Sequence, residues 1–264
     1  MTWTTRTRSK IGPLAAIVAG RGPSVVLIHG VGLRAEAWGA QIDALSANFR
    51  VIAVDMPGHG DSAGLPGAPD LRSFSDIIAK HGDQQCVVIG HSFGAMIALD
   101  LAISYPERVA GVAALNGIYR RDAAARAAVI ARADSLDGIN MADTNGPLTR
   151  WFGGTPSPER AACESWLRSV DPAGYKAAYS VFARSDGPQD TALERLACPA
   201  LFMTGGQEPN STPEMSRAMA ALVPQGRAEI IEDAAHMMPM THTDQVNASL
   251  TSFVKACLVP THRR

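Results

Sequence analysis

A doubly wound, mostly parallel α/β sheet with an inserted helical cap is the fold class this sequence predicts, on three observations. Short apolar runs alternate with amphipathic, helix-length stretches along most of the chain. The run Cys86-Val87-Val88-Ile89 leads straight into Gly90-His91-Ser92-Phe93-Gly94 and then into a helix-like stretch, giving a strand, a sharp turn and a helix in succession. Between the apolar runs that end at Asn116 and begin at Pro199, about eighty residues of different, helical texture interrupt the alternation.

Residues 11–20 read as short first strands leading into Pro23. Arg6, Arg8 and Lys10 ahead of them superficially resemble the charged head of a secretion signal, but Gly12 and Pro13 break the apolar run such a signal needs. Val25-Val26-Leu27-Ile28 is apolar on both faces, as in a buried parallel strand, and runs into the Gly-bracketed turn His29-Gly30-Val31-Gly32. Next come a strand at 50–55, a helix at 71–81, the strand and turn around Ser92, a helix at 95–105 and a strand at 109–116. The insertion is rich in Ala and Arg over 119–133, breaks at Gly138 and Gly146, and resumes helical patterns at 158–170 and 172–184. Beyond it follow a strand at 199–205, a helix at 213–222, a strand at 230–236 and a closing amphipathic helix at 244–257. The expected division is a core of residues 1–118 and 191–264 with a cap of residues 119–190 lying over the strand C-termini.

Composition narrows the class of molecule. A chain of 264 residues, 46% hydrophobic and 19% charged, buries a full core without a metal or a disulfide. Its net charge of −1 provides no broad basic face for nucleic acid. Cys86, Cys163, Cys198 and Cys257 are widely scattered without C-x-x-C spacing, which suggests reduced structural thiols rather than zinc ligands or a redox pair. No apolar run approaches membrane-spanning length. The expectations are a cytoplasmic enzyme with no cofactor, no metal, no nucleic-acid partner and no membrane partner, acting on a small molecule; self-association into a homo-oligomer stays open.

Ser92 is the candidate nucleophile. G-x-S-x-G is a common pentapeptide, and a small residue in a strand-to-helix turn is its bland reading, so the setting carries the weight. In a nucleophile elbow the glycines let the backbone turn tightly enough to lift a serine hydroxyl above the sheet edge. The turn after Ile28 suits a loop that presents backbone N–H groups to a developing oxyanion, with Val31 and Phe93 as the two donors. The lone His236, at the C-terminal end of the late strand Ile230-Ile231-Glu232-Asp233-Ala234-Ala235-His236, is the candidate general base. The acid should follow the preceding strand, where the loop Gly206-Gln207-Glu208-Pro209-Asn210 has Glu208 as its only carboxylate. Asp233 is the main rival, with Asp122 and Asp55 behind it; Asp233 lies too near His236 along an extended strand to reach the ring's far nitrogen.

At this point the chain resembles the α/β-hydrolases of the esterase, enol-lactonase and cofactor-free peroxidase group. His29-Gly30, the loop Asp55-Met56-Pro57-Gly58-His59-Gly60-Asp61-Ser62, the elbow, the acid loop and Ala235-His236 match in order and span nearly the whole chain. The group usually has Asp where this chain has Glu208, a departure that asks for a loop set slightly further back. In the cap, Asp171-Pro172-Ala173-Gly174-Tyr175 is similar to a segment of the enol-lactonase branch. The resemblance implies cofactor-free two-step acyl transfer on a small ester or lactone, including one bearing a carboxylate. Carbon–carbon bond hydrolysis of a diketone-type substrate, cofactor-free peroxidase or dioxygenase chemistry, and ligand reception without turnover are the other functions the group implies. Trp38, Trp151 and Trp166 are the candidate substrate contacts; Phe93, Phe152, Tyr175 and Tyr179 are further apolar candidates. Arg120, Arg121 and Arg126 are candidates to meet an anion, against the plainer reading of a solvated helix face.

Overall fold

β3 (Ser24–Ile28) is buried along its whole length, and its alternating side chains feed two separate cores. Val26 and Ile28 pack into one apolar cluster while Val25 and Leu27 pack into the other, as the two-residue period of a strand requires. The structure is a computed structural model and describes residues 3–82 and 85–258. Around β3 lie β1 (Ser9–Ile11), β2 (Leu14–Ala19), β4 (Arg50–Val54), β5 (Cys86–His91), β6 (Val109–Leu115), β7 (Ala200–Gly205) and β8 (Gly226–Ile231). They form one eight-stranded sheet in the order β1-β2-β4-β3-β5-β6-β7-β8. The β1–β2 and β2–β4 pairs are antiparallel and every other pair is parallel. The chain order reverses on either side of β3 and β5, so the loops after those strands open at the switch point where ligands of such sheets bind.

Helices cover both faces. α1 (Gly39–Leu45) and α11 (Thr243–Leu258) contribute to the cluster of Val25 and Leu27, whereas α2 (Leu71–His81), α3 (Phe93–Ser104) and α9 (Pro213–Leu222) contribute to the other. Local chemistry sets their ends: Asp70 and Ser73 form a reciprocal capping box at α2, and Pro213 occupies the first turn of α9. Between β6 and β7 lie α4 (Ala123–Ser135), α5 (Asn145–Phe152), α6 (Pro158–Ser169), α7 (Pro172–Arg184) and the short α8 (Asp190–Glu194). α10 (Met238–Thr241) precedes α11. A third apolar cluster fastens the inserted helices to the sheet domain: Trp166, Leu167 and Tyr175 pack with Leu33, Ala37, Met237 and Met240.

Three elements depart from the sequence reading. α4 starts at Ala123, not 119, because the Asp122 carboxylate accepts the Ala125 N–H at 2.7 Å and caps it there. α5 forms across Gly146, which reads as a break; Gly146 and Pro147 both fall in its first turn, where proline is tolerated. The strand expected to reach His236 ends at Ile231. Ile231 C=O accepts both the Gly206 and Ala234 N–H groups, and the Gln207 N–H bonds Ala234 C=O, so the chain folds back across the loop after β7. No described helix is long and apolar enough to cross a membrane.

Candidate active site

Ser92 joins β5 to α3 with φ 57° and ψ −118°, a left-handed conformation that a non-glycine residue holds only when its surroundings force it. The forcing is visible. A Cβ on Gly90 would come within 1.9 Å of Gly94 C=O, and one on Gly94 within 2.1 Å of Ile28 C=O, so neither position admits a side chain. The Ser92 N–H donates to Leu115 C=O at 2.8 Å, pinning the turn to the neighbouring strand.

The turn after β3 is held as tightly. Gly32 N–H donates to His59 Nε2 at 3.0 Å, Met56 N–H donates to His29 Nε2 at 3.0 Å, and His29 Nδ1 donates to Gly30 C=O at 2.8 Å. Burial pushes both imidazoles down, His29 to about 4 and His59 to about 3, so they stay neutral and keep an acceptor nitrogen for these contacts. Among the described residues the Val31 N–H has no protein acceptor. Phe93 opens α3, where no preceding helical turn supplies an acceptor. Its ring is fully buried against Phe74 and Phe182 rather than facing a ligand.

Glu208 lies buried within the loop after β7. Its Oε2 accepts His236 Nδ1–H at 2.6 Å and lies 3.4 Å from Asn116 Nδ2; its Oε1 accepts the Asn210 and Ser211 N–H groups at 2.7 and 3.3 Å. Burial alone would raise this carboxyl, but the His236 ring and the two backbone donors outweigh it and hold it at about 2. A carboxylate fixed on Nδ1 leaves Nε2 of His236 as the free basic nitrogen. From the other side, neutral His91 donates its Nε2–H to His236 C=O at 2.8 Å. The rival acids lie elsewhere: Asp233 is largely exposed and 3.6 Å from His242, Asp55 is taken by Arg8 and by the Ala35 and Asp61 N–H groups, and Asp122 caps α4.

Ser92, His236 and Val31 line one cavity of about 320 Å³, with Asn116, Ile118 and Ser211 on the sheet side and Val129, Arg132, Trp151, Tyr175, Tyr179 and Phe182 from the inserted helices. Of the three tryptophans expected to contact substrate, Trp151 is the one that lines this cavity, and it also stacks on the His236 ring, centroids 5.7 Å apart and planes 14° from parallel. Trp38 is instead sealed in the core edge-on to His91, because the short 3₁₀ turn that carries it, Ala35–Trp38, is wholly buried. Trp166 faces Met237 and Met240 across the third cluster, so its area goes into joining helix to sheet. Arg120, Arg121 and Arg126 are each paired within the protein, with Asp190, Asp186 and Asp186 respectively, although Arg121 also touches the cavity. Sequence reasoning missed Arg132, Arg150, Asn116 and Ser211; the first two lay within expected helix and break segments, with no local signal to single them out.

A model described as the alpha/beta hydrolase family matches residues 25–249. The chain belongs to the alpha/beta hydrolase family. Among relatives in this family, an (E)-2-((N-methylformamido)methylene)succinate hydrolase of Acinetobacter baylyi is 38% identical over 248 residues, covering 89% of this chain and 92% of its own. A pimeloyl-acyl-carrier-protein methyl ester esterase of Chromobacterium violaceum is 29% identical, covering 84% of this chain and 91% of its own. The structure of a thermophilic esterase from Thermogutta terrifontis superposes with a TM-score of 0.82 at 26% identity, over 96% of this chain and all of the other. Hydrolase chemistry is thus the established class for this alpha/beta hydrolase.

Proposed function

We propose that this chain is a serine hydrolase that opens a carboxylic ester or lactone of a small molecule through an acyl-enzyme on Ser92. The observation that carries the reading is the 2.6 Å contact of buried Glu208 with His236, whose ring lines the same cavity as a serine held at φ 57°. In this reading His236 Nε2 accepts the Ser92 proton as Oγ attacks the carbonyl. Glu208 fixes the tautomer and offsets the charge on the imidazolium. The Val31 and Phe93 N–H groups receive the oxyanion. His236 then returns the proton to the leaving oxygen and activates water to release the acid. Helices α4–α7 act as a cap that closes the cavity and selects the substrate.

A second acyl group is favoured by one comparison. The Acinetobacter relative is named for a substrate with a formamido group, so an N-acyl bond is the second reading of the same triad. Kinetics on a panel of acetate esters, lactones and N-acyl enamines separates the two. Ser92→Ala should lower turnover of every cleaved substrate by on the order of a millionfold, leaving only what the oxyanion donors supply. An alanine variant that kept more than a few per cent of activity would exclude the covalent route.

A further inference from the structure

The cavity roof holds an arginine that forms no contact ion pair among the described residues. Arg132, on α4, has a buried Nε–H with no hydrogen-bond partner. The rest of its guanidinium reaches only neutral oxygens, Asp143 C=O and Tyr175 Oη, both at 3.4 Å, and lies 5.4 Å over the Tyr179 ring. An arginine cannot shed its proton to escape burial, so an unfilled donor there is costly unless something arrives to accept from it. Nearby arginines show the usual solution: Arg121 and Arg126 share Asp186, and Arg184 is paired with Asp134. Arg132 and Arg150 have no such ion pair among the described residues, yet both line the cavity. The Asp143 carboxylate, which sits close by, is committed to the Asn145 and Gly146 N–H groups at the start of α5. Asp122 is the one carboxylate lining the cavity, and it caps α4.

We infer that Arg132, with Arg150 beside it, is a carboxylate-binding subsite, and that the substrate of the Ser92 site is a short acyl compound carrying a free carboxylate. A planar guanidinium with an open Nε–H matches the two oxygens of a carboxylate, and the Tyr179 face beneath it keeps the fork in plane. The anion fills the orphaned donor and balances the roof charge, while the reacting carbonyl stays near Ser92. This assignment rests on the serine-hydrolase reading for the role of the bound molecule, but not for its binding.

Calorimetry on the Ser92→Ala protein tests it without turnover, with glutarate, succinate and dimethyl glutarate as probes. The diacids should bind and the neutral diester should bind at least tenfold more weakly. Arg132→Gln in the same background should weaken glutarate by roughly 30-fold or more, with Arg132→Lys in between because it restores charge without the fork. Equal affinity for diacid and diester, no diacid binding up to about 10 mM, or a folded Arg132→Gln protein that binds glutarate unchanged would each overturn the subsite. The diacid-against-diester comparison decides the matter even if the Arg132 variant does not fold. Failure of the serine reading would appear separately, as wild-type protein that binds glutarate but cleaves no acyl substrate.

Discussion

Glu208 accommodates one methylene more than the aspartate usual in this family by the way its loop is tied. Its own N–H bonds Gly205 C=O at 3.2 Å while two later N–H groups of the same loop hold Oε1, so the longer side chain is gripped from its base and its tip. With its carboxyl held at about 2, it is ionised throughout the neutral range. We expect Glu208→Gln to lower kcat by about a thousandfold or more, since the histidine loses both its fixed tautomer and its counter-charge. Asp233→Asn should change kcat little, given the exposure of that side chain and its position beside His242. Steady-state kinetics of the two variants decides between them, and the reverse ranking would move the acid to Asp233. Glu208→Asp should recover part of the loss if the loop can close inward.

At the level of elements, α5 does more than roof the cavity. Trp151, in its last turn, lies flat on the His236 ring, where an aromatic face favours the imidazolium that forms during proton transfer. A residue that only shaped the pocket would change KM and substrate ranking. Instead, Trp151→Ala should lower kcat several-fold to about tenfold even for a minimal acetate ester, and Trp151→Phe should recover most of it. An Ala variant with unchanged kcat and a raised KM would return Trp151 to substrate contact alone. α5 was also the least legible helix in the sequence, because Gly146 looks like a break until the helix start is known to fall there.

Across the whole molecule, the site is supported from the far edge of the sheet. Arg8 reaches Glu36 at 2.6 Å and Asp55 at 2.7 Å, and Asp55 in turn holds the Ala35 and Asp61 N–H groups, so the N-terminal segment braces both loops that flank the Val31 turn. Burial would raise the Glu36 carboxyl, but Arg8, the Arg6 N–H and Arg34 outweigh it and hold it at about 2. A folded-state value below the ordinary 4.5 means that this stabilisation is complete above about 4.5 and is lost as the pH falls towards 2. Glu36→Gln should therefore cost about 3 kcal/mol in urea unfolding near neutral pH. The gap to wild type should narrow as the pH drops from about 4.5 towards 3, whereas a gap independent of pH would contradict the ion-pair account.

The same long-range contacts explain what the sequence did and did not disclose. β3, β5 and β7 announce themselves as apolar runs, and α2, α7 and α9 as capped or proline-started helices, because those signals are local. Ser92 follows from its glycine-bracketed turn between strand and helix, and Glu208 and His236 from their places beyond the ends of late strands. The true end of β8, the burial of Trp38 and the unpaired state of Arg132 depend on which distant segments meet, and no local pattern encodes them.

The central claim is that Ser92 is the nucleophile, and covalent labelling tests it most directly. Wild-type protein treated with a fluorophosphonate should gain one adduct, mapped by peptide mass spectrometry to Ser92. Ser92→Ala should gain none, and Glu208→Gln should label far more slowly. An adduct on another residue, or equal labelling of the Ser92→Ala protein, would contradict the account.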